Sequence, residues 1–211
     1  MRSATKTATT WFGVVAGIAG LEHGYFEFLQ GYTRPYGLMI ASIGPPCVPE
    51  EVWNACEPAM TVIPNYLLTG VLAVIISLII LVWSVAFIHR KHGGLILIML
   101  SAALLLFGGG IFPPLIGMIG GWTGTKINKS ITSAKPNGLL RLTAKIWPWS
   151  LVIFLAWVFG QFFVGYFFNT FLLKIMVYFM IFLLLILPLS VYSAYSYDVL
   201  NVHEGELNVI I

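Results

Sequence analysis

Charge is what this chain has least of. Only 9% of its 211 residues are Asp, Glu, Lys or Arg, against about 25% in an ordinary soluble domain. A water-facing surface large enough for a globular domain is therefore excluded. The formal net charge of +3 is small, and no basic domain is present to neutralise phosphates, which excludes a nucleic-acid partner. Enzyme signatures are missing as well. There is no Ser-His-Asp arrangement, histidine-box cluster, Walker loop or Rossmann glycine pattern. Enzymatic activity is thus the less favoured reading, and the cofactor, if any, stays open. His23 is the one histidine well inside an apolar segment, so bis-histidine haem ligation is not expected. A cleavable signal is not read either, because Arg2 and Lys6 precede an apolar stretch as long as a bilayer span.

Cysteine is nearly absent. Cys47 and Cys56 are the only two, both in a polar loop after the first apolar segment. If that loop faces outside, a disulfide between them is feasible; otherwise they are two unpaired thiols.

Long apolar runs are what the chain has in abundance. With 59% hydrophobic residues, it reads as an all-α, polytopic transmembrane helix bundle forming one membrane domain over residues 1–211. Spans of about 20 residues are expected near 11–30, 63–88, 149–168 and 174–197, with a tight turn marked by Asn169, Thr170 and Lys174 between the last two and a short tail over 198–211. Residues 94–121 form a third segment, interrupted by Gly108, Gly109, Gly110, Pro113 and Pro114. This segment is either one long broken helix or a re-entrant bend, so the count is four to five spans. Lysine and arginine in short loops favour the cytoplasmic side. Placing the N-terminus inside puts Arg90 and Lys91 inside and loop 31–62, with Glu50, Glu51 and Glu57, outside. A simple third crossing gives five positive residues inside and six outside, whereas a re-entrant bend gives nine and two. Length argues the other way, since each arm of a split segment is too short to cross alone. The balance leans slightly to five crossings.

The first span carries the candidate site. On a helix of about 100° per residue, Gly13, Gly17, Gly20 and Gly24 share one stripe with Gly31, which invites close approach of another helix. His23, Glu27 and Gln30 follow one another along a polar edge beside that stripe. Glu22 points to nearly the opposite side and is the more costly group at its depth. Three readings compete. Glu22 or Glu27 exchanges a proton or cation, with His23 as relay. Alternatively, His23 and Glu27 supply two metal ligands and Glu57 or another outer-loop group a third. Or these groups only hydrogen-bond between helices. The Gly108–Pro114 break is a second, separate candidate, because broken helices expose backbone ends to cavities.

Gly20-Leu21-Glu22-His23-Gly24 through Glu27 to Gly31, Glu57-Pro58-Ala59-Met60 and the Gly108–Pro114 break together resemble a loose set of uncharacterised prokaryotic multi-spanning membrane proteins. The resemblance covers the first three segments. It implies topology and a prokaryotic cell membrane, and no chemistry. The leading expectation is a helix-packing or accessory subunit, with lipid and a second copy or another membrane protein as partners. A small transporter- or channel-like protein is the alternative, and a metal-dependent membrane enzyme comes third.

Overall fold

The computed structural model describes residues 3–44, 47–48, 51–129 and 137–209, with side chains to 203. Arg2, Glu50 and Lys135, used in the charge count, lie outside the described residues. In chain order the elements are α1 (Ser3–Leu29), β1 (Met39–Ala41), β2 (Pro58–Met60), α2 (Tyr66–Val82), α3 (Gly93–Leu106), α4 (Phe112–Gly124), α5 (Gly138–Ala144), α6 (Trp149–Phe167) and α7 (Asn169–Val209). A π-helical turn, Trp83–Phe87, continues α2. The chain is mostly helical, but the small β1–β2 sheet departs from the all-α expectation. Two units form, residues 9–126 and residues 1–8 with 127–211.

Three helices are long and apolar enough to cross a membrane: Tyr66–Phe87, Trp149–Phe167 and Asn169–His203. The expected first span is not among them. α1 is long enough, at about 40 Å for its 27 residues. However, Glu22, His23, Glu27 and its many small residues lower its hydropathy. One face of it packs on protein, with Phe12, Val15, Ala16, His23 and Glu27 buried, while Trp11, Ile18, Tyr25 and Phe28 are exposed.

In the 9–126 unit the glycines of α1 set its packing. Gly13 faces Ser84, Gly17 faces Leu81 and Ser77, Gly20 faces Ser77 and Leu104, and Gly24 faces the α2 backbone at Gly70 and Val74. The approach is closest between Gly24 and Gly70, where a Cβ on Gly70 would meet the carbonyl of Gly24 and the backbone of Phe28. Small residues on both helices allow this contact, as in GxxxG packing. Gly31 departs from the expected stripe. It lies past the end of α1 with φ of 69°, in the left-handed conformation that commonly ends a helix.

The third apolar segment is not one kinked helix. α3 and α4 run antiparallel: Gly94 packs on Gly121 and Thr125, and Ser101 packs on Gly117. The chain reverses at residues 107–111. Gly108 and Gly110 adopt φ of 89° and 78°, which glycine reaches without the Cβ penalty. Pro113 and Pro114 occupy the first turn of α4, where their missing N–H groups cost nothing. Length favoured a single crossing because it counts residues, whereas the glycine and proline chemistry of the break dictates a turn. At about 21 and 20 Å, α3 and α4 are each too short to cross a bilayer core of about 30 Å.

The loop between α1 and α2 folds back over both. β1 and β2 pair antiparallel, with Ile40 opposite Ala59. The ladder continues outward as Ser42 N–H donates to Glu57 O (2.9 Å) and Cys56 N–H to Ile43 O (2.8 Å). A Cys47–Cys56 disulfide closes its far end. At the near end, Gly108 N–H donates to Met60 O (2.9 Å) and Val62 N–H to Leu106 O (3.0 Å). The loop is thereby tied to the tip of the α3–α4 hairpin.

In the other unit, α6 and α7 form an antiparallel pair joined through Phe168. The turn expected at Asn169–Lys174 is instead the start of α7. Trp157 stacks on Phe179 at 4.9 Å. A buried hydroxyl seam runs alongside: Ser150 bonds Ser193, Ser190 donates to Ser150 O (2.9 Å), and Thr143 of α5 donates to Ser196 (2.9 Å). Residues beyond Tyr197 read as a polar tail, yet α7 continues through them. Buried Asp198 accepts the N–H groups of Ala4 and Thr5 at 3.0 and 2.8 Å. It caps the first turn of α1, whose amides have no partner within the helix.

Candidate functional site at the C-terminal end of α1

His23 and Glu27 sit one turn apart on α1 and are 3% and 0% exposed. The two candidate regions read separately from the sequence meet here. Gly108 lies against the Glu27 carboxyl, and Gly110 lies against the ring of His23. A Cβ at either position would collide with the polar group it faces. The hairpin tip is therefore a close-fitting wall of the site as well as a turn. Gly109 does not touch it and packs on Leu104.

The loop supplies the opposite wall. His23 Nε2 lies 3.3 Å from Glu57 Oε2, and the Glu57 side chain is 38% exposed. Ser42, whose hydroxyl lies beside the Glu27 carboxyl, donates to the His23 carbonyl at 3.2 Å. Gln30 Nε2 donates to the carbonyls of Ala41 (3.0 Å) and Ser42 (2.8 Å). Gln30 thus clamps β1 to α1 rather than joining the ionisable pair. Tyr66, at the start of α2, lies within electrostatic reach of Glu27.

Glu22 is not left without a partner. Asn54 Nδ2 donates to Glu22 Oε1 at 3.0 Å. The charged groups near Glu22 are His23 and Glu57. Helix geometry keeps Glu22 on a different face from Glu27, but the loop wraps far enough around α1 to touch both faces. Asn54 and Ser42 were not singled out in the sequence. The signal available was the loop itself: both residues lie close to the cysteines whose pairing folds it back.

Hydrogen bonding sorts these groups sharply. Among the described residues neither oxygen of Glu27 nor Nδ1 of His23 meets a partner in hydrogen-bond geometry, although the Ser42 hydroxyl lies beside the Glu27 carboxyl. A buried carboxylate without a partner is costly enough that it is normally neutralised or paired. The enclosure can therefore hold a proton, a small cation or a water molecule at Glu27. Among the described residues no group of three or more His, Cys, Asp and Glu is set to hold a metal ion. Glu57, the expected third ligand, pairs with His23 instead.

Three apolar helices of spanning length, with an enclosed cluster of ionisable groups on a fourth, are consistent with a polytopic membrane protein. No known protein family matches the chain, and neither a curated protein nor a solved structure is similar to it.

Proposed function

We propose that this is a small transporter- or channel-like membrane protein that takes up and releases a proton or small cation at Glu27. The observation that carries the reading is the state of that carboxyl. It is wholly buried, and among the described residues neither oxygen has a partner in hydrogen-bond geometry, the Ser42 hydroxyl beside it being turned to the His23 carbonyl, whereas a carboxylate serving only to hold helices together would be fully hydrogen-bonded. Intramembrane ionisable groups mark ion and proton pathways when they face a protein interior. His23 is the relay, being one turn from Glu27 on α1 and 3.3 Å from Glu57 Oε2. Glu57 is the port, because it joins His23 to the exposed face of the loop.

In this reading the disulfide-bearing loop faces outside, and α1, α2, α6 and α7 cross the bilayer. The α3–α4 hairpin enters and leaves by the cytoplasmic side. That topology returns Lys126 to the side of Arg90 and Lys91 and leaves nine positive residues inside and two outside, in accord with the charge rule.

The purified chain in liposomes tests the proposal. A pH gradient, and separately a sodium gradient, should dissipate faster than in protein-free vesicles. Glu27→Gln should abolish the faster rate while melting like the wild type. An absence of flux from the wild type, or equal flux from Glu27→Gln, overturns it. A second reading, a subunit that acts by helix association, is favoured by the exposed aromatics Phe163, Tyr166, Phe167, Phe168 and Phe171 at the α6–α7 turn. Light scattering of the detergent-solubilised chain addresses it, a stable dimer being the supporting result and a monomer the opposing one.

A further inference from the structure

The π-helical turn that ends α2 has no part in the site above. π-Turns are frequent at functional positions, and this one borders a groove of about 310 Å³ lined by Leu78, Ile79, Val82, Trp83 and Phe87. The lining carries no charged or hydrogen-bonding side chain apart from the indole N–H of Trp83, which is already committed to Gly93 O at 3.0 Å. That bond fixes the Trp83 ring as a wall. Phe87 packs against it with ring centroids 5.4 Å apart.

The groove has a charged end. The Arg90 guanidinium sits over the Phe87 ring, 5.3 Å from its centroid. Arg90 and Lys91 are both exposed at the turn that follows. One helix face therefore passes from aliphatic (Leu78, Ile79, Val82) to aromatic (Trp83, Phe87) to cationic (Arg90, Lys91). That order matches a single amphiphile with an apolar tail and an anionic head. A guanidinium held by an aromatic face keeps its N–H fork free for a phosphate.

We propose that this face binds one anionic phospholipid of the surrounding bilayer. An acyl chain lies along Leu78, Val82 and Trp83, and the phosphate rests on Arg90 and Lys91. Charge complementarity selects the occupant. A second copy of this chain would have to bring an acidic group to Arg90, and a zwitterionic lipid brings the same phosphate together with a headgroup cation that Arg90 and Lys91 repel.

Native mass spectrometry of the full chain in mild detergent, titrated with phosphatidylglycerol or phosphatidylcholine, tests the assignment. One phosphatidylglycerol should be retained over phosphatidylcholine by about fivefold per engaged cation, the typical worth of a basic residue at an anionic surface. The preference should shrink as salt is raised. Arg90→Gln with Lys91→Gln should bring the two lipids level. Val82→Trp, which fills the groove, should lower retention of both. Inorganic phosphate should not displace the bound lipid, because it lacks the tail. Equal retention of the two lipids by the wild type, a preference insensitive to salt, or displacement by inorganic phosphate would overturn the proposal. So would selectivity that survives in the double variant.

Discussion

Two buried polar regions of this molecule are built in opposite ways. In the α6–α7 pair, Ser150, Ser190, Ser193 and Ser196 are all buried and all hydrogen-bonded. Asp198, further along α7, accepts a backbone N–H at each carboxylate oxygen. At the end of α1, by contrast, the more costly groups are the ones without partners: both oxygens of Glu27 and Nδ1 of His23. Polar groups that hold helices together are expected to be satisfied, because an unmade bond costs more than a made one gains. The seam obeys that rule. The α1 site breaks it at the two residues with the most useful chemistry, while glycines at 108 and 110 bring a backbone wall up against them.

Substitutions can break or sharpen this contrast. The largest effect is expected from Gly70→Leu, which forces α2 off α1 at their closest approach. Overpacking of this kind commonly costs about 1–3 kcal/mol. Here it should exceed that, since backbone rather than side chain is in the way, and a melt in detergent would read it. Next is Asp198→Ala, which removes both bonds to the first turn of α1. It should cost about 2 kcal/mol, at the upper end for a lost cap, and faster amide exchange at Ala4 and Thr5 would locate the loss. Reducing the Cys47–Cys56 bridge, with its sequence separation of 9, should cost about 2–3 kcal/mol by the loop-entropy rule. Hydrogen exchange should then rise around Asn54 and Glu57 while α1 stays protected. Ser193→Ala removes its bonds to Ser150 and to Ser190 O and should cost about 1–2 kcal/mol, with no change in flux. Glu27→Gln sits at the end of the series. It keeps the side chain's shape and an oxygen that can face the Ser42 hydroxyl, so the melting temperature should hardly move, although flux is lost. A stability loss of about 2 kcal/mol or more in Glu27→Gln would place Glu27 with the seam.

Local geometry made part of this legible in advance. The glycine positions on α1 and the edge shared by His23 and Glu27 follow from helix periodicity alone. The cysteine pair could be read from its loop. What escaped was long-range. Asn54 and Glu22 are 32 residues apart, and Asp198 and Ala4 are 194 apart, so no spacing rule joins them. Asp198 also stood among charged residues that read as a tail, because capping of a distant helix leaves no local pattern. The hairpin at Gly108 was undecided because residue count and charge count disagreed. Positive φ at two glycines and two prolines in the following turn resolve it as a reversal. Once the chain reverses, the break and the His23–Glu27 edge, read as two sites, become one.

The central claim is that Glu27 changes its bound proton or cation rather than serving as a fixed packing group. Infrared difference spectra of the chain in a lipid film, recorded as pH or sodium is cycled, test it most directly. The account predicts a carboxylic C=O band that appears and disappears with the cycle and is missing in Glu27→Gln. A band unchanged by that substitution, or no band at all, would contradict it.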